Sequence, residues 1–397
     1  MDQKRRLAAR RAMMSLAFAL LPAVLSAQER EPLDIETFAL VPPPGQPEGI
    51  AVSDDGTVYV GTNVVATSSR PEPSKIFAFD STGVLVEEYT VPGVEGLLGM
   101  AFDGDGRLYV VDPTPPRVFR LDPETGAQSD YTAFHDVLPC SQGGAPGDCS
   151  DTQGDDVPLP NYLVFAEDGT MYVTDTRQAL IWRVPRGGGE PEVWFTDGCL
   201  EGTFGPNGIQ FEADGETLLF AMTGTQQGGC DAAPANGALY QLRVLPDGSP
   251  DDHLSLFWES QPADGPDGFS IAASGNVYVA LAGTNQIAVL SPTGAELARV
   301  PETPVDNALL DVPLDMPAST AFLGTSVLFT NQSLFAGHPD SWAVLDLFAD
   351  EVGLPLHRPL PEPGSALALV AGAAALAALG RRRIQLPDLA KLPDHRG

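Results

Sequence analysis

"EGIAVSDDGTVYVG", residues 48–61, alternates apolar and polar side chains on either side of an Asp-Asp-Gly turn. That pattern predicts two short antiparallel strands joined tightly. The unit returns as "LGMAFDGDGRLYVV" (98–111), "NYLVFAEDGTMYVT" (161–174), "NGIQFEADGETLLF" (207–220), "DGFSIAASGNVYVA" (267–280) and, one residue shorter, "ASTAFLGTSVLFT" (318–330). A second alternating pair follows most copies, as in "SKIFAFDSTGVLVEEY" (74–89) and "NQIAVLSPTGAELARV" (285–300), so each unit holds four strands. Successive units begin 46 to 63 residues apart, a propeller-blade period. Turns this short cannot make parallel crossovers, which excludes α/β folds, and a flat β-sandwich does not account for sixfold repetition. The reading is an all-β, six-bladed β-propeller of four-stranded antiparallel blades over residues 33–350. The content of 41 Gly and 37 Pro agrees with so turn-rich a chain.

In a propeller the first strand of every blade lines the central channel, and its first residue lies at one mouth. Counting eight residues back from each turn glycine gives Glu48, Leu98, Asn161, Asn207 and Asp267, and the shortened sixth unit gives Ala318. Four of the six carry side-chain oxygens, and three sit between Pro and Gly: "PEG", "PNG" and "PDG". Singly, such strings are turns. At identical repeat phase they become a converging set. Two carboxylates and two amides, with no Cys or His, form a hard-oxygen donor set suited to calcium, with zinc or another divalent ion as the alternatives.

The formal net charge is −31, and ten of the 22 Lys/Arg lie in residues 1–27 and 381–397, leaving 12 against 50 acidic residues between 28 and 380. Such a body repels nucleic acid and anionic membrane. "MDQKRRLAARR" followed by "AMMSLAFALLPAVLSA" reads as a signal peptide over 1–27, which makes the four cysteines disulfide candidates. Residues 351–364, "EVGLPLHRPLPEPG", read as a Pro-rich linker. At the other end "LPEPGSALALVAGAAALAALGRRR" has a Pro-Glu-Pro triplet, a short apolar run and an arginine stop. Residues 361–383 resemble a PEP-CTERM sorting signal, and the polar tail 384–397 extends past where such signals stop. That resemblance implies an exosortase-type processing enzyme as a partner. It also implies export to the periplasm, cell surface or extracellular matrix of a Gram-negative bacterium, with inner-membrane anchorage only through the C-terminal segment.

On "QPEGIAV", "LPNYLVF", "GPNGIQF" and "GPDGFSI" the chain resembles the regucalcin/gluconolactonase (lactonase-like) propellers. The resemblance implies that Glu48, Asn207 and Asp267 hold a divalent metal, with Asn161 beside it contacting substrate or water. It further implies a hydrolase of lactones or related esters in which Asp267 and Asn161 are the catalytic residues. Tyr162 and Leu159 depart from the family's third-blade pattern, so the metal site is better supported than any particular substrate. The competing reading is a non-catalytic surface propeller that binds polysaccharide or protein around a structural metal.

Loops at the mouth include the acidic insert "HDVLPCSQGGAPGDCSDTQGDDVPLP" (135–160), which Cys140 and Cys149 can staple. Cys199 and Cys230 then suit a second bridge, although four cysteines allow three pairings. No nucleophile elbow, zincin helix or phosphate loop is present, and the five histidines show no ligand spacing. Tyr59, Tyr109, Tyr172 and Tyr278 read as packing between blades.

Overall fold

Each repeat turns on a glycine with positive φ, from +60° at Gly324 to +91° at Gly169, where other residues are strained. The two strands it joins pair antiparallel, as Ile50 with Val60 and Val52 with Val58 do in the first copy. The computed structural model describes residues 30–63, 73–93, 96–202, 204–224, 232 and 236–359. The chain divides into two units, 1–31 and 32–397, and only Arg30 and Glu31 of the first are described. The signal-like leader, the sorting segment 361–383 and the tail 384–397 lie outside the described residues. Among those described, no helix is long and apolar enough to cross a membrane.

Six four-stranded antiparallel sheets follow one another along the chain, so the six-bladed propeller is observed. Their inner strands are Pro47–Val52, Met100–Phe102, Pro160–Phe165, Phe204–Phe211, Pro266–Ile271 and Pro317–Leu323. Blades one to five are each built from consecutive strands. The sixth takes its outermost strand from the other end of the fold: Ile35–Leu40 pairs antiparallel with Ala343–Phe348. Strand exchange between the two ends closes the ring with backbone hydrogen bonds.

The core lies between blades. Tyr59 of blade one meets Phe102 of blade two edge-on, with centroids 5.2 Å apart. The same joint recurs as Tyr109–Phe165, Tyr172–Phe211 and Tyr278–Phe322 at 5.0, 5.8 and 5.7 Å. Edge-to-face pairs add about 0.5–1.5 kcal/mol beyond the area they bury. The strand-centre tyrosines are therefore inter-blade joints, as their phase implied.

Five inner strands share one irregularity. Pro47 pairs with Thr62 but Ile50 with Val60, so one extra residue is accommodated across Glu48–Gly49. The same shift occurs after Pro160, Pro206, Pro266 and Pro317. Such bulges bend the strand and re-aim a side chain. In blades one, four and five the next residue is a glycine, where neighbouring inner strands touch. A Cβ on Gly49 would lie 2.0 Å from the Leu98 carbonyl oxygen, and one on Gly208 2.8 Å from that of Asp267.

Residues 351–359 run across the opposite end of the channel as a strap. The Leu354 N–H donates to the Ile271 carbonyl and the Ala273 N–H to that of Val352, both at 2.8 Å. Arg358 donates to the Val52 carbonyl at 2.7 Å, pairs with Asp54, and lies over the Phe102 ring. Gly104 N–H closes on the Pro359 carbonyl at 2.9 Å. Blades five, one and two are thus tied together from one side.

Candidate metal centre

The bulges place Glu48, Asn161, Asn207 and Asp267 at the start of four inner strands, all on one mouth of the channel. Glu48, Asn161 and Asn207 are 3%, 7% and 4% exposed, and Asp267 is half-buried. Glu48 Oε2, Asn161 Oδ1, Asn207 Oδ1 and Asp267 Oδ1 are all buried without a hydrogen-bond partner in the described structure. A polar atom left so costs about 1–3 kcal/mol, and native folds hold few of them. Four at one repeat phase mark a place for a cation.

A neighbouring threonine fixes which end of the Asn161 amide faces the channel. Thr176 Oγ1 donates its only proton to the Pro206 carbonyl at 2.8 Å, so toward Asn161 it can only accept. Asn161 Nδ2 therefore donates to it, at 3.0 Å, and Oδ1 is left pointing elsewhere. Asn207 Nδ2 makes the equivalent bond to Thr223 Oγ1 at 3.0 Å. Two more threonines stitch the ring of inner strands. Thr174 Oγ1 donates to the Asn207 carbonyl at 2.6 Å and accepts from Tyr162 N–H at 3.0 Å. Thr330 Oγ1 likewise joins the Glu48 carbonyl (2.7 Å) to Ser319 N–H (3.0 Å).

The two carboxylates burden each other. Burial, with the Asp267 charge adding to it, raises Glu48 well above the usual carboxylate range. Burial raises Asp267 from 3.8 to about 7, against the pull of the Asn207 side chain and the Gly268 N–H. Desolvation opposes the charged form, and an adjacent like charge opposes it further. A divalent cation reverses both effects.

The donor set fits such an ion. Two carboxylates and two amide oxygens suit an oxygen-preferring cation that keeps several waters. Among the described residues no group of three His, Cys, Asp or Glu forms a metal cluster, so the amides must contribute for this set to suffice.

Sequence reasoning gave two side chains here no place at the site. Tyr162 is buried, and its hydroxyl is pushed up by burial first and then by the charges of Glu48 and Asp267. It also approaches the Ser319 hydroxyl, whose own oxygen is buried without a partner. Both stand one residue after a ring position, where the four other blades have Gly49, Gly99, Gly208 and Gly268. The missing glycine was the available signal.

Beside the mouth, the insert is stapled by Cys140–Cys149, with Cα atoms 5.0 Å apart. Cys199 is also held in a disulfide; Cys230, which the sequence offers as its partner, lies outside the described residues. The insert docks on blade three through Val137 N–H to Gln178 Oε1 (2.8 Å) and Asp151 N–H to Thr196 Oγ1 (2.8 Å). His135 is spent on the insert, with Nε2 2.9 Å from Asp148 Oδ1 and its ring edge-on to Trp182.

The loop before Asp267 is braced separately. Asp264 takes two bonds from Arg299, at 2.8 and 2.7 Å, and accepts Gln261 N–H at 2.8 Å.

Among known proteins, a family described as the SMP-30/Gluconolactonase/LRE-like region matches residues 190–325, a span that contains Asn207 and Asp267. No curated protein matches the sequence. Among solved structures, a calcium-binding regucalcin from Agrobacterium tumefaciens is 17% identical with TM-score 0.54, over 82% of this chain and 99% of that one. A gluconolactonase from Xanthomonas campestris is 16% identical with TM-score 0.52, covering 80% and 98%. A virginiamycin B lyase from Staphylococcus aureus, in an inactive form with quinupristin, is 16% identical with TM-score 0.51, covering 79% and 99%. At such identities the structures speak for the fold. In that fold, and over residues 190–325 in sequence, the chain resembles the SMP-30/gluconolactonase propellers, as its repeat motifs implied.

Proposed function

We propose that the chain is a metal-dependent hydrolase of lactones or related esters, with calcium as the ion. One observation carries the reading: four buried oxygens without partners, at equal repeat phase on four blades. Glu48, Asn207 and Asp267 would hold the ion, with Asn161 beside it. A bound divalent cation supplies polarisation of the carbonyl and stabilisation of the developing oxyanion. Similarity to proteins titled gluconolactonase and regucalcin supports the choice of substrate class and ion.

The chain's own residues account for the proton. Asp267, kept ionised once the cation is bound, is the carboxylate at the mouth that accepts a proton. As a water oxygen bonds to the carbonyl carbon, its proton passes to Asp267. The ring C–O bond then breaks, and the departing oxygen takes the proton to give the hydroxy acid. Asn161, its amide nitrogen fixed on Thr176, offers Oδ1 to orient water or substrate.

The signal-like residues 1–27 and the PEP-CTERM-like 361–383 support export and action outside the cytoplasm. Burial of Glu48 and Asn207 favours a second reading, in which the ion only braces the ring and the outer surface binds polysaccharide or protein. A panel of lactones and aryl esters, run with calcium on wild type and on Asp267→Ala, separates the two. Hydrolysis lost in the variant supports the enzyme. A wild type that binds calcium yet turns over nothing in the panel supports the scaffold.

A further inference from the structure

At the far end of the channel from the oxygen ring lies a separate cavity of about 460 Å³. That size suits a small ligand. Ile50, Phe102, Ile209, Phe269, Phe322 and, from the strap, Leu354 line it, and none of the four oxygen-bearing ring residues does. Tyr162 belongs to its lining and also feels the Glu48 and Asp267 charges, so its ring stands between the two compartments.

One lining residue is out of character. Gln210 is 7% exposed and carries a long amide at the phase where other blades have Ala51, Ala101, Val164, Ser270 and Ala321. The hydroxyls of the neighbouring Ser270 and Thr320 satisfy each other at 2.7 Å. The Gln210 side chain has no hydrogen bond to any described residue, although it is more than nine-tenths buried and lines the cavity. Its amide is reached from the cavity, where water or a ligand supplies the hydrogen bond that the protein does not.

We propose that this strap-walled chamber is a second binding site, for a small uncharged molecule with an aromatic or branched apolar body and one hydroxyl or carbonyl group. The apolar walls take the body and the Gln210 amide takes the polar group. No charged side chain is enclosed with it: Arg358, at the rim, is engaged by Asp54 and the Val52 carbonyl. This site is independent of the proposed hydrolase activity.

The test is equilibrium binding of 2-naphthol, with naphthalene as the apolar control, to the full chain. Wild type is expected to bind one equivalent of 2-naphthol, preferring it to naphthalene by roughly fivefold or more, one hydrogen bond's worth. Gln210→Trp replaces the amide with a bulky ring inside the chamber without removing any bond and should weaken binding at least roughly tenfold while the melting curve stays cooperative. Asp267→Ala should bind like wild type, which separates this chamber from the mouth. Should Gln210→Trp not fold, Gln210→Leu decides, since it must lose the preference for 2-naphthol. No saturable binding, or binding unchanged in a folded Gln210→Trp, overturns the proposal and leaves a water-filled channel end.

Discussion

Asp267→Asn should have opposite effects on stability with and without calcium. Holding Asp267 at about 7 rather than 3.8 means that an ionised carboxylate costs the metal-free fold on the order of 4 kcal/mol at pH 8. The amide has nearly the same shape and carries no charge. In chelator the variant should therefore be more stable than wild type, by about 2–4 kcal/mol once solvent relaxation is allowed for, or on the order of 5 °C in Tm. In calcium the order should reverse. Wild type gains about 5.5 kcal/mol at a ten-thousandfold excess over Kd, whereas the variant, lacking one of two carboxylates, gains little. Paired calorimetric scans at pH 8, in chelator and in calcium, read both halves. An Asn variant that is less stable in chelator and keeps the full calcium response would refute the metal assignment, because neither repulsion nor ligation would then pass through this residue.

The linked pH dependence has a definite sign. Glu48 and Asp267 both have folded pKa values above their ordinary ones, so the stability they lend is present below about pH 4 and is lost as pH rises through those folded values, about 7 for Asp267. Metal-free melts should fall over that interval while the calcium-induced increment grows, and a flat profile from pH 4.5 to 8 would contradict it. Thr176→Val removes the acceptor that turns Asn161 inward and should cost about 1–2 kcal/mol and weaken calcium binding measured by titration. Thr125→Val, an exposed turn residue of blade two, serves as the control. Gly49→Ala places a Cβ 2.0 Å from the Leu98 carbonyl and should cost at least about 3 kcal/mol, read as a lost or strongly lowered thermal transition. A near-wild-type melt would show that blades one and two can separate at the ring.

Local chemistry was legible, and pairing across long distance was not. Each turn glycine, its flanking alternation and its ring residue (Glu48, Asn161, Asn207 or Asp267) are written within a dozen residues of one another. Closure of the sixth blade by Ile35–Leu40 is not, because "IETFAL" carries no mark of its partner some three hundred residues away. The bulges were half visible as Pro-x-Gly, since the proline and the small residue are in the sequence but the register shift belongs to the paired strand. Thr176 and Thr223 escaped notice because hydroxyls at strand ends are common; only the bonds to Asn161 and Asn207 distinguish them. Tyr162 was noticed as a departure, yet its direction along the channel depends on four other blades. Residues 351–359 read as a spacer by composition, and nothing local to them announces the carbonyls of Ile271 and Val52 that they meet.

That strap also decides which way the molecule faces. The chain leaves the propeller at the end where the inner strands finish, while the oxygen ring lies where they begin. A six-residue inner strand such as Pro47–Val52 is about 20 Å long. The last described residue, 359, therefore lies at the end of the channel away from the carboxylates, about one strand length from them. If residues 361–383 attach the chain to a surface, the mouth is turned toward the surrounding medium. Solutes or polymers from outside would then meet it first, and molecules released from the supporting surface would have to travel around the blades.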